Sequence, residues 1–210
     1  NLLTMEAGSA VAGANYSLRI SGGSDNSFVN GPMRKNGNTA FLFPIGKVNA
    51  GHRYTGISAP ALPGDAFTAE FIRGSASGLG SVSAPGLYRV SACEYWDLSR
   101  TAGTSSVNVT LSWSGSSNCN AAAYVTDLTS IVVAQFGTSW SSFNNNGGNT
   151  GIVSNGSVTW NNVSAFGFFA LGSSSAGANP LPVKFSSVKA YTAGVDNKIE
   201  ISDNDFHLPL

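Results

Sequence analysis

The sequence predicts an all-β chain of β-sandwich or jelly-roll type, with a solenoid-like rung or an edge hairpin near its beginning. Three observations carry that expectation. Apolar and polar residues alternate with period 2 between turn clusters, and no window of useful length has helical period. Only 10% of the residues are charged, far below the usual quarter, while Gly, Ser, Thr and Asn are abundant. With 210 residues and 42% hydrophobic content, the chain can bury a proper core without depending on staples.

The elements follow in order. Over residues 1–40, Leu3, Met5, Val11, Leu18, Ile20 and Val29 are spread among Gly, Ser, Ala and Asn, a texture that suits a solenoid rung, an edge hairpin or the first strands of a sandwich. Residues 41–172 form the expected sandwich core, with strand-like runs at 40–44, 67–73, 87–98, 130–136, 157–160 and 166–171. The clearest strand is 107–113, where Val107, Val109, Leu111 and Trp113 share one face and Asn108, Thr110 and Ser112 the other. Asn144 to Gly151, with Gly147-Gly148-Asn149 inside it, is expected to be a mobile loop. Residues 173–182 read as a linker, and Pro180 and Pro182 favour extended backbone within it. Residues 183–210 then supply C-terminal strands open to exchange with a neighbour, with Val183, Phe185, Val188, Tyr191, Ile199 and Ile201 as the assembly residues.

Composition also excludes. The formal net charge is zero and the Lys and Arg residues are scattered, so no basic stripe is present to neutralise a phosphate backbone, and nucleic acid is not an expected partner. Apolar runs are broken before the roughly 18 residues that a membrane span requires. The chain starts at Asn1 with no charged-then-apolar leader, so any export signal is expected to have been removed or to lie outside this stretch. Cys93 and Cys119 are the only cysteines; they permit one disulfide and lack metal-type spacing.

Catalytic chemistry finds little to stand on. The two histidines, His52 and His207, lie in turn-like or terminal contexts, and no nucleophile elbow, zinc motif or phosphate loop is present. No catalytic or cofactor-binding residue is expected. Glu70 and Glu94 are the best carboxylate pair for a glycoside hydrolase, but partners such as Arg34, Lys35, Arg73 and Arg89 make structural ion pairs the stronger expectation. Asp203 and Asp205 could help ligate calcium, although the rest of a ligand loop is missing. Among the aromatic residues, Trp113 and Trp160 are expected in the core. Trp140 is the one expected to be accessible, and with Tyr124, Asn144 and Asn149 it forms the candidate platform for a glycan. Four Asn-x-Ser/Thr runs begin at Asn15, Asn108, Asn155 and Asn162, and they read as polar turns and strand faces.

A set of segments in order carries a family resemblance: Phe28-Val29-Asn30-Gly31-Pro32-Met33-Arg34-Lys35, Thr39-Ala40-Phe41-Leu42-Phe43-Pro44-Ile45-Gly46-Lys47, Glu94-Tyr95-Trp96-Asp97-Leu98, Ala170-Leu171-Gly172-Ser173 and Asn179-Pro180-Leu181-Pro182-Val183. Across residues 1–195 the chain resembles the β region that precedes the sorting domain in proteins exported by the type IX secretion system of Bacteroidota. The resemblance implies secretion, a cell-surface or extracellular location, and a sandwich serving as stalk, spacer or adhesive module. It carries over no catalytic residue. The sorting domain itself does not follow Ile199-Glu200-Ile201-Ser202, and the resemblance implies that it has been cleaved, trimmed or replaced. The expected partners are copies of the chain, neighbouring modules or glycans.

Overall fold

The computed structural model describes residues 3–6, 23–118, 124–181, 187–193 and 196–202, with side chains described for 23–115, 117 and 124–181. In chain order the strands are β1 (Leu3–Glu6), β2 (Met33–Asn36), β3 (Phe41–Phe43), β4 (Gly46–Lys47), β5 (Gly51–His52), β6 (Thr55–Ile57), β7 (Ala66–Ile72), β8 (Arg89–Val90) and β9 (Tyr95–Ala102). They continue with β10 (Val107–Trp113), β11 (Ile131–Phe136), β12 (Trp140–Asn144), β13 (Asn149–Ile152), β14 (Asn155–Val163), β15 (Gly167–Ser173), β16 (Ser187–Ala193) and β17 (Asp196–Ser202). The chain is all-β and sandwich-like, and it does not close into a barrel.

One sheet has eight strands in the order β1-β2-β7-β9-β15-β11-β12, with β8 also on β15; the other has five, in the order β13-β14-β10-β6-β3. Alternation explains how they pack. On β7, Phe67, Ala69 and Phe71 turn inward while Thr68, Glu70 and Ile72 turn away. On β10 the four residues Val107, Val109, Leu111 and Trp113 are buried, as the period-2 pattern requires. The two inner faces meet in one core that includes Met33, Phe67, Phe71, Trp96, Leu98, Val133, Phe169 and Leu171 from the larger sheet, and Phe43, Ile57, Leu111, Trp113 and Val158 from the smaller. Gly156 is required there, because a Cβ on it would lie 2.4 Å from the Trp113 ring.

A second apolar cluster lies on the outer face of the larger sheet. Val132, Ala134, Ala170 and Trp140 are covered by Ala76, Ala84 and Leu87 from the segment between β7 and β8. The molecule is therefore layered three deep over β15, β11 and β12: small sheet, large sheet, covering segment.

Residues 23–40 belong to the sandwich rather than to a separate rung. Val29 bridges Ile45, its amide donates to the Pro44 carbonyl at 2.7 Å, and β2 pairs with β7. The stretch from Ser173 is not a loose linker either. Ser173, Asn179 and Leu181 are fully buried. The Asn179 Oδ1 accepts the amides of Thr126 and Asp127 at 2.8 and 2.9 Å, and its Nδ2 donates to the Asp127 carbonyl and to Ser130 Oγ. A small-residue composition reads as a linker, but one amide side chain satisfying four backbone and hydroxyl groups fixes it in place.

Asp65 performs a similar task at the turn between β9 and β10. Fully buried, it accepts the amides of Leu62 at 3.2 Å and Thr104 at 3.0 Å, and the Ser105 hydroxyl. Gly103 sits against it at φ +82°, where a Cβ would collide with the carboxylate. Burial pushes the Asp65 carboxyl up, but the bonds from Ser105, Leu62 and Thr104 together hold it below its ordinary value. A carboxylate with a lowered folded pKa contributes stability that is fully present above the unfolded value of about 3.9 and is lost as pH falls through the folded one. Asp65→Asn is thus expected to cost about 1–3 kcal/mol at pH 7. It should also flatten the fall in stability below about pH 4. Urea unfolding across that range checks both, and an unchanged acid slope would refute the assignment.

Candidate functional site

The most unusual chemistry in the fold is a charged cluster buried at one end of the inter-sheet core. Arg53 enters from the turn between β5 and β6, Glu94 from the start of β9 and Arg73 from the end of β7. Arg53 and Glu94 have no exposed side-chain surface; Arg73 is partly exposed. The Arg53 Nε donates to Glu94 Oε2 at 3.3 Å and to Ser117 Oγ at 2.8 Å, and its Nη1 donates to the His52 carbonyl at 2.7 Å. The Arg73 Nη1 reaches the same Oε2 at 3.3 Å.

Neighbouring groups fix the cluster. The Trp96 Nε1 donates to the Arg53 carbonyl at 3.0 Å. Ser91 Oγ accepts the amides of Cys93 and Glu94, each at 3.1 Å, and the Tyr124 hydroxyl at 2.8 Å. Cys93 is buried and disulfide-bonded, and Cys119, the other cysteine of the sequence, lies outside the described residues. Among the described residues Glu94 Oε1 has no hydrogen-bond partner. Burial raises the Glu94 pKa above the ordinary carboxylate value, against the opposing pull of Arg53, Ser117, Arg73 and Tyr124. Burial, with the Glu94 charge, also pushes Tyr124 well above its usual value.

What this arrangement can do chemically is hold three chain segments together. A general acid needs a cleft that admits substrate, whereas the Glu94 side chain has no exposed surface. Glu70 does not join it. Facing away from the core on β7, it pairs with Lys47 at 2.8 Å, beside an open cleft of about 440 Å³ that also includes Asn30, Asn49, Ile72 and Arg73. Both partners of that pair are nearly a third exposed, so it contributes little. The two glutamates therefore lie on opposite faces of the sheet, each in a separate ion pair, and do not face each other. Arg73 is the one expected partner that the structure uses; Lys47 and Arg53 were not among those the sequence suggested.

The glycan platform is overturned. Trp140 is fully buried in the outer cluster, its Nε1 donating to the Ala76 carbonyl at 3.0 Å, with Phe136 packed edge-on at a centroid distance of 5.2 Å. Tyr124 is buried in the charged cluster. Asn144 spends its Oδ1 on the amides of Asn145 and Asn146, and Asn149 donates to the Leu128 carbonyl at 2.7 Å. The loop they bound is tied to β14 by Gly147 and Gly148, which bond Thr159 in both directions, so it is a pinned crossing between the sheets and not a mobile tip. Trp113 is in the core as expected, and Trp160 packs against the core while partly buried.

Asp203, Asp205, Val183, Phe185 and His207 lie outside the described residues. Among the described residues no group of three or more His, Cys, Asp or Glu side chains could hold a metal ion. His52 bonds Asp25 through its backbone amide, not its ring. Among the described residues no helix is long and apolar enough to cross a membrane. Val188, Tyr191, Ile199 and Ile201 fall in β16 and β17, which pair with each other as a separate two-stranded sheet. Its register pairs Val188 with Ile201, Ala190 with Ile199, Lys189 with Glu200 and Tyr191 with Lys198.

Comparison with known proteins finds no matching family model, no matching curated protein and no matching solved structure.

Proposed function

We propose that this chain is a non-catalytic structural or adhesive module of an exported bacterial cell-surface or extracellular protein, and that it associates with copies of itself through terminal strands, as a filament subunit does. The observation that carries the reading is the C-terminal hairpin. β16 and β17 make a two-stranded sheet of their own, separate from the two large sheets, and an isolated two-stranded ribbon is marginal in water unless it packs on something.

Other features support the same reading. The disulfide at Cys93 suits an oxidising compartment. The buried polar groups cross-link strands: Arg53 and Glu94 at one end, Asp65 at a turn, Asn179 where the chain leaves the sandwich. The resemblance to type IX-exported proteins implies a cell-surface location for such a sandwich. The glycan alternative has lost Trp140 and Tyr124, the residues that recommended it.

Light scattering with negative-stain microscopy tests the proposal, on native material and on protein lacking residues 184–210. Regular assemblies that disappear on deletion are expected. Compact monomers from both proteins would reject self-association.

A further inference from the structure

The large sheet ends in a strand unlike the rest. β1 runs parallel to β2, in register from Leu3↔Met33 to Glu6↔Asn36. Among the described residues every other strand pair in the two large sheets is antiparallel. Antiparallel neighbours are joined by short turns, whereas a parallel neighbour in the same chain needs a crossover of about a dozen residues or more. A strand from another molecule needs none.

β2 also has the composition of a sheet edge. Its sequence is Met33-Arg34-Lys35-Asn36, with Met33 and Lys35 on the buried side, and Lys35 donates its ammonium to the Asn36 carbonyl. An inward-pointing lysine is one of the devices by which natural edge strands resist open-ended pairing. The sheet is thus equipped to end at β2, and β1 is an addition to it. The addition is paired along its whole length, Thr4 with Arg34 and Met5 with Lys35 between the two end pairs.

We propose that this edge is an intermolecular joint, in which Leu3–Glu6 of one copy adds in parallel to Met33–Asn36 of another. The inference rests on the self-association reading above and assigns it a second donor and an acceptor. The backbone pairing is the same within a chain and between chains, so exchange costs little. Val29 is held against Pro44, Ile45 and Gly46, and the 16 residues at 7–22 that precede Gly23 can span roughly 55 Å when extended. That reach lets β1 find either edge. Because donor and acceptor are different surfaces, one-way exchange propagates into a fibre and reciprocal exchange closes a dimer.

Cysteine cross-linking decides it. Thr4→Cys and Arg34→Cys, at positions that pair directly in the register, are made as separate full-length variants with tags of different size, and also together in one chain. Circular dichroism confirms that each retains its β signature. Mild oxidation of the mixed single variants is expected to give a reducible heterodimer, and the double variant a ladder of multimers or a dimer. Thr4→Cys mixed with Thr68→Cys, one strand further in, should give at least tenfold less. A double variant that links only within its own chain, with no heterodimer from the mixture, overturns the joint. That result leaves the C-terminal hairpin untouched, because the deletion of residues 184–210 reads a different segment.

Discussion

Arg53→Met is expected to destabilise the fold by about 3–5 kcal/mol, because it removes the fully buried guanidinium that pairs with the Glu94 carboxylate and leaves it only the partly exposed Arg73. In a domain of this size that corresponds to a fall in Tm of roughly 6–20 °C. Glu94→Gln should cost a similar amount for the mirror reason: Arg53, with no exposed side-chain surface, loses its counter-charge. The double variant Arg53→Met, Glu94→Met is the informative one. Replacing a buried ion pair by packed apolar side chains is often near neutral, so the double variant is expected to be more stable than either single variant. Arg73 keeps the other side of the cluster partly hydrated.

The pH dependence has a definite sign. A group whose folded pKa is raised contributes stability that is complete below its unfolded value, about 4.3 for Glu, and is lost as pH rises through the folded value. Glu94 therefore works against Asp65 and Asp127, whose pKa values are lowered and whose contribution is lost in acid; for Asp127 the cause is hydrogen bonds from Ser130 and Thr129. Removing Glu94 and Arg53 together should steepen the loss of stability as pH falls from neutral towards about 4.3, where Glu94 otherwise offsets it. Strictly additive costs in the double variant would mean that the two side chains do not act as a pair.

The parts of this architecture that were legible in the sequence are those governed by one-sided burial. β10 alternates cleanly because one face meets the core and the other meets Thr159 and the Tyr54 carbonyl. Strands covered on both sides were harder to interpret, yet they carried a usable signal. Ile131-Val132-Val133-Ala134 and Phe168-Phe169-Ala170-Leu171 are unbroken apolar runs, as expected for strands with a layer on each face. Taken with the Leu79, Val82, Ala84 and Leu87 stretch, they point to a second cluster and place Trp140 in it. The Arg53–Glu94 pair had no such signal, since 41 residues separate partners that only the sandwich topology brings together. Asn179 was equally silent, because a buried amide and a linker amide look alike in composition.

Trp140 provides the sharpest separation between a binding surface and a structural one. Trp140→Ala is expected to cost about 3–5 kcal/mol, the usual range for deleting a fully buried large aromatic. Trp140→Phe keeps most of the packing but leaves the buried Ala76 carbonyl without its indole donor, at a cost of about 1–3 kcal/mol. The damage should be local before it is global. Ser81 accepts the Trp140 amide and Ser83 and Ala84 donate to its carbonyl, so the indole and its backbone together latch the covering segment onto β12. Hydrogen exchange in Trp140→Ala should accelerate first over residues 76–88 and at β12, while β10 and β14, on the far side of the inner core, stay protected. A variant with wild-type stability and exchange but altered retention on immobilised glycans would restore the sugar platform and remove the outer cluster from the structural account.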